Sequence, residues 1–216
     1  MIGKIPLLGC VLLIAIPAAA QTQLGIRTGI GVNSVSPEYD ESITRIIAAA
    51  DVTLPLYGLL GIRVGAAYAP RGGRRSNPNM PDTGFGDGTP RGTRYANAAH
   101  PQNVLVMSYA QLSALLHASL ETQAGLVEFG MVGGPWFGLI TWCSYRNDPC
   151  ADRGRDFESY DYGLALGGGV ALAVSDDVDL ALELIHFFGM ADIRSERGRA
   201  TTSHLAGQIG FVFEIG

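Results

Sequence analysis

The most constraining feature of the chain is a two-residue alternation that recurs along it, with no long uninterrupted apolar run after residue 20. Leu24, Ile26, Thr28, Ile30 and Val32 share one parity, and Gly25, Arg27, Gly29, Gly31 and Asn33 share the other. Successive side chains of a strand point to opposite faces, so such a segment has one apolar face and one small or charged face. Leu60, Ile62, Val64, Ala66 and Tyr68 stand against Gly61, Arg63, Gly65, Ala67 and Ala69 in the same way. Leu205, Ile209, Phe211, Phe213 and Ile215 stand against His204, Ala206, Gln208, Gly210 and Glu214. The nearest approach to a membrane-spanning helix, 127–142, is interrupted by Glu128, Pro135 and several glycines. Charged residues make up only 16% of the chain, against about 25% in soluble domains, and there are 29 glycines. A wall that turns one face to lipid and packs small residues on the other accounts for both.

The alternation predicts eight strands, near 23–34, 43–54, 59–70, 103–118, 126–142, 158–174, 178–190 and 201–215. Short turns join the second to the third, the fourth to the fifth and the sixth to the seventh; the other connections, 35–42, 71–102, 143–157 and 191–200, are longer. Segregation of turns to one end and loops to the other is the pattern of outer-membrane barrels. The expected fold is therefore all-β: a closed, up-and-down, eight-stranded antiparallel transmembrane β-barrel. Both termini and the short turns are expected on the periplasmic side, with the 71–102 loop outside. The belt is expected from Leu24, Ile26, Ile62, Val64, Leu164, Leu166, Leu182, Ile209 and Phe211. Tyr57, Tyr68, Trp136, Trp142, Tyr160, Phe188 and Phe213 fall near strand ends, where barrels carry aromatic girdles.

Residues 1–20 read as a secretory signal peptide: Lys4, an apolar stretch from Ile5 to Ile16, then Pro17-Ala18-Ala19-Ala20 before Gln21. Residues 21–216 form the barrel domain, and the expected location is the bacterial outer membrane. Export makes a disulfide between Cys143 and Cys150 the expected state of these two cysteines, which lie in one short polar segment.

Several segments resemble the PorT-like outer-membrane β-barrel proteins, the porin family. They are Asp51-Val52-Thr53-Leu54-Pro55-Leu56, Gly65-Ala66-Ala67-Tyr68-Ala69-Pro70-Arg71-Gly72, Gly134-Pro135-Trp136-Phe137-Gly138, Asp161-Tyr162-Gly163-Leu164 and Gly189-Met190-Ala191-Asp192-Ile193. Ser113 departs from a usual proline, and Ile185-His186 from a usual Arg-Tyr. The resemblance implies the same barrel and leaves the cellular task open, since fold does not fix function.

Alternation puts Arg27, Arg45, Asp51, Arg63, Gln111, Glu128, Asp161, Glu183, His204 and Gln208 in the lumen. Buried charges require partners, and eight strands leave an interior just wide enough for side chains. A network of Arg27 and Arg63 with Glu128, Asp161 and Glu183 is expected to plug it. Ser203 and His204 are adjacent and so face opposite ways; they form no catalytic pair, and His100, His117 and His186 lack metal-ligand spacing. Gly84-Phe85-Gly86-Asp87-Gly88 and Gly167-Gly168-Gly169 lack the context of phosphate loops. No cofactor is expected. A formal net charge of −5 gives no basic footprint for nucleic acid. Arg71, Arg74, Arg75, Arg91 and Arg94 cluster in the long loop, where they would meet lipopolysaccharide or solvent. The expected role is non-enzymatic: structural, surface-interacting or of limited permeability, with outer-membrane lipid and lipopolysaccharide as partners. The alternatives are a barrel enzyme acting on lipid or peptide, and a soluble periplasmic ligand-binding barrel.

Overall fold

A computed structural model describes residues 21–36, 39, 41–74, 104–122, 126–145, 148–150, 157–193 and 200–215. The segment 1–20, expected to be a signal peptide, lies outside the described residues, as do Arg75, Arg91, Arg94 and His100. The strands are β1 (Thr22–Ser36), β2 (Glu41–Tyr57), β3 (Leu60–Tyr68), β4 (Arg71–Arg74), β5 (Val104–Glu121), β6 (Val127–Tyr145), β7 (Asp148–Pro149), β8 (Tyr160–Ser175), β9 (Val178–Gly189) and β10 (Thr201–Ile215). All pairings are antiparallel. β3 and β4 are two pieces of one wall strand: both pair with β2 and with β5. The wall is thus an up-and-down ring of eight strands.

The ring closes where β1 meets β10, from Thr22↔Ile215 to Ser36↔Thr201. Closure is what lipid demands, because an edge strand in hydrocarbon leaves N–H and C=O groups unpaired at several kcal/mol each. At the turn end, Gly58 takes a φ of 57° between β2 and β3, a left-handed conformation that side chains with a Cβ disfavour.

Burial follows the alternation. Arg27, Asn33 and Val35 are buried on β1, while Ile26, Ile30 and Val32 are exposed. The expected belt residues all lie on the outer face, from Ile26 and Val64 to Ile209 and Phe211. Ile46, Leu112, Leu116 and Leu184 extend it around the ring. A continuous apolar surface of this kind has no place on a soluble monomer. Among the described residues no helix is long and apolar enough to cross a membrane; the strands make the crossing.

Three local features depart from the expected pattern. The third strand breaks after Tyr68, at Ala69-Pro70, because proline has no N–H to give the ladder. Between Ser42↔Gly73 and Ala48↔Tyr68, β2 has no partner on that side. Arg45, expected in the lumen, lies at this gap and its side chain is exposed. In the fifth wall strand, Ser108 pairs with Trp142 but Tyr109 with Ile140, so Thr141 is an extra residue. Such a bulge shifts the alternation, and Met107↔Cys143 and Leu105↔Tyr145 come to share the inner face beyond it.

The girdle expectation needs one correction. Tyr57, Tyr68, Trp142, Tyr160 and Phe188 are exposed, but Trp136 is buried inside the barrel. It sits mid-strand opposite Gly163 and Ser113, on the inward parity of β6.

Candidate functional site

The lumen is the part of this fold where chemistry-bearing side chains converge, and it is filled in layers. Nearest the turn end is a four-residue ionic layer. Arg63 binds Glu183 through two hydrogen bonds, Nη1 to Oε1 at 2.6 Å and Nη2 to Oε2 at 2.7 Å. Arg63 Nε also lies 3.1 Å from Asp51. Arg27 is ion-paired with Asp51 and lies 3.2 Å from Glu183. Two cations and two carboxylates therefore alternate around a closed circuit. Each arrives from a different strand: Arg27 from β1, Asp51 from β2, Arg63 from β3 and Glu183 from β9. The neighbouring inner positions are Gly25 and Gly210, and a Cβ at either would run into the Arg27 side chain. Glycine there is what lets a guanidinium lie across the wall.

The middle of the lumen is apolar. Ile47, Leu115, Val132, Trp136, Ala165, Ile185, Phe187 and Ala206 pack together. Trp136 and Phe187 meet edge to face with centroids 6.2 Å apart, and Trp136 Nε1 donates to the Leu164 carbonyl at 3.2 Å. Beside this layer, His204 Nδ1 is hydrogen-bonded to Asn33 Oδ1, and Asn33 Nδ2 donates to the Gly31 carbonyl at 2.9 Å. The His204 ring occupies the space a side chain at Gly31 would need.

Toward the loop end a second polar layer is built on Arg71, which is fully buried. Its guanidinium donates to Gln111 Oε1 at 2.5 Å and to Thr202 Oγ1 at 3.0 Å, and lies 3.5 Å from Asp161. Thr202 Oγ1 in turn donates to Asp161 Oδ2 at 2.6 Å. The rings of Trp136 and Tyr109 cover the cation, with centroids 4.0 and 4.8 Å away, a cation–π arrangement. Above it lies an apolar cap of Val35, Leu105, Met107, Tyr145 and Ile193. Cys143 and Cys150 are joined in a disulfide beside this cap, with Cα atoms 5.5 Å apart.

Several expected site residues are therefore brought together, and others are not. Arg27, Arg63 and Glu183 share one layer. Asp161 does not join them: it belongs to the loop-end layer, because β8 carries it opposite Gly138 near the top of β6. Glu128 does not join them either. It sits at the turn-end mouth, next to Glu121 on the paired strand and facing Asp179 and Glu214. Asp51 takes the place in the circuit that Glu128 was expected to fill. Arg71, assigned from sequence to an exposed basic loop, is instead a buried residue. The signal that could have found it is the parity of β5, where Gln111 and Tyr109 also face inward.

A recess of about 40 Å³ opens at the turn end, lined by Arg27, Arg63, His117, Glu128, Asp179 and Glu183 among others. Its size suits a water or a small ion. No group of three or more potential metal ligands is found among the described residues.

No family model and no curated protein matches the sequence. Solved structures do match in fold. Neisserial surface protein A superposes with a TM-score of 0.54 at 11% identity, covering 90% of this chain and 97% of that one. The outer membrane protein OprG from Pseudomonas aeruginosa gives 0.50 at 11% identity, covering 91% and 97%. At such identity the likeness concerns fold, and the apolar belt speaks independently for lipid. By its ring of eight strands and its apolar outer belt, the chain has the fold of the eight-stranded outer-membrane β-barrels.

Proposed function

We propose that this chain is a closed outer-membrane barrel of the PorT-like group, with a structural and surface-interacting role rather than a channel role. The observation that carries this reading is the layered filling of the lumen. An apolar layer holding Trp136 and Phe187 separates the turn-end recess from the Arg71 layer. A solute crossing the barrel would have to break two buried ion networks, at several kcal/mol each. The motifs that resemble the PorT-like proteins support the grouping, since they carry plug residues: Trp136 from Gly134-Pro135-Trp136, Asp161 from Asp161-Tyr162-Gly163, and Arg71 from the end of the third wall strand.

The partners follow from the surface. Acyl chains cover the belt. Arg45 and Arg74 are exposed toward the loop end, in the half of the wall that would meet the outer leaflet, where lipopolysaccharide supplies anionic headgroups. The short turns and the strand ends at Thr22 and Ile215 then face the periplasm. Planar-bilayer recording of the purified, folded chain is the test. No stable conductance steps are expected; steady ohmic conductance from the wild-type barrel would overturn the closed-lumen reading.

A further inference from the structure

By alternation, and apart from Arg45 at the gap and the ion-paired Arg74 and Glu41 at the loop end, the outer face of the described wall strands carries no Asp, Glu, Lys or Arg. It carries one histidine, His186 on β9, which shares its parity with the exposed Leu182, Leu184 and Phe188. His186 Nε2 lies 2.7 Å from Oγ of Ser203 on β10. The two are diagonal neighbours, since His186 stands opposite Leu205 and Ser203 opposite Phe188. The Phe188 ring rests against the imidazole with centroids 3.9 Å apart. On the other side, Ser34 of β1 stands directly across from Ser203.

The depth of this pair matters. Phe188, Tyr162, Phe137, Trp142 and Tyr68 are exposed in the loop-end part of the wall. Such a girdle marks the boundary between headgroups and hydrocarbon, the depth at which lipid ester carbonyls lie. Leu166, Leu184 and Leu205 beside the pair continue the apolar wall along which an acyl chain would run. A serine hydroxyl is a weak nucleophile until a base within hydrogen-bond reach takes its proton, and here the base is in reach.

We propose that Ser203 and His186 form a nucleophile–base dyad that hydrolyses fatty-acyl esters of lipids in the adjoining leaflet. With the imidazole proton on Nδ1, Nε2 accepts the Ser203 proton as Oγ bonds to the ester carbonyl carbon. Collapse of the tetrahedral adduct breaks the bond from that carbon to the alcohol oxygen, which leaves with the proton from Nε2. Water then adds to the acyl-serine, giving a proton to Nε2, and release of the fatty acid returns that proton to Oγ. Directly opposed residues on a sheet have Cβ atoms about 5 Å apart, so the Ser34 hydroxyl is placed to donate to the oxyanion. The dyad differs from the adjacent Ser203 and His204, whose side chains point to opposite faces of β10.

The test uses the full chain folded into phosphatidylethanolamine–phosphatidylglycerol vesicles, with and without added lipopolysaccharide. Free fatty acid is read by mass spectrometry, and folding by the electrophoretic shift between heated and unheated samples. Release from the phospholipid vesicles alone would support the dyad and assign glycerophospholipid as substrate. Release that requires lipopolysaccharide would support it and assign the acylated sugar lipid. Ser203→Ala and His186→Gln are each expected to lower release by at least about 100-fold while the folded gel band persists. A fluorophosphonate probe is expected to label wild-type Ser203, which decides the matter even if a variant folds poorly. Folded wild type that releases no fatty acid from either lipid, absence of the label, or unchanged release by Ser203→Ala would each overturn the proposal. Conductance and fatty-acid release are separate readouts, so this proposal and the closed-lumen reading fail independently.

Discussion

Glu183 holds Arg63 with both carboxylate oxygens, at 2.6 and 2.7 Å, across a lumen and a sequence separation of 120 residues. A two-oxygen grip of this kind fixes orientation as well as distance. It ties β3 to β9, which are not neighbours in the ring. The ionic circuit is thus a brace across the barrel.

Breaking that brace from one side should be costly. Glu183→Ala leaves Arg63 and Arg27 sharing Asp51 alone, and a buried pair that loses one partner costs about 3–5 kcal/mol. The expected outcome is a matching loss in unfolding free energy by denaturant titration in vesicles. Replacing all four circuit members with apolar residues of similar volume should recover most of the loss, because no charge is then stranded.

Trp136→Ala should hollow the apolar layer. The indole packs against Phe187 and covers the Arg71 guanidinium, and large aromatic truncations in cores cost about 3–5 kcal/mol. Tryptophan fluorescence offers a second check. Trp136 is buried in the lumen and Trp142 is exposed toward lipid, so the wild-type emission that resists quenching by brominated lipid should be lost in the variant.

Gly31→Leu should prevent the native barrel from closing on its present register. A side chain there meets the His204 ring, which is held by Asn33. Overpacking of a filled interior usually costs about 1–3 kcal/mol. The double variant with His204→Ala should regain the folded gel band that the single variant loses, which would separate crowding from any backbone effect.

Reduction of Cys143–Cys150 should leave the wall intact. The bond spans a sequence separation of 7, and closing so short a loop contributes about 2 kcal/mol to the local unfolded state. Protease cleavage between 144 and 159 is expected to accelerate on reduction or in Cys150→Ser, with the heat-dependent gel shift unchanged. Loss of that shift would show that the cap supports the whole barrel.

The lipid register can be read directly. Ile209→Arg, midway along β10 between Ser203 and Ile215, should cost about 2–4 kcal/mol, and Ile215→Arg, at the strand end, about 0–1 kcal/mol. Equal effects at the two sites would contradict the depth assigned to them.

Sequence by itself determined the wall. The two-residue period is imposed by the geometry of every extended strand, so Arg27, Asp51, Arg63, Glu183 and His204 could be placed on the inner face without knowing any partner. The contrast between short turns and long loops reported the up-and-down order in the same local way. Tertiary structure alone decided who meets whom inside. Height in the lumen depends on strand register summed around a ring, which is why Asp51 and not Glu128 completes the circuit with Arg27 and Arg63. Asp161 is carried instead to Arg71. Alternation also fails wherever one residue is added or a ladder is interrupted. The extra residue at Thr141 turns Cys143 inward, and the break at Pro70 leaves Arg45 exposed at a gap while Arg71 enters the lumen. Ser203 and His186 illustrate the same division, since parity shows that each faces outward, but only the pairing of β9 with β10 brings them into hydrogen-bond contact.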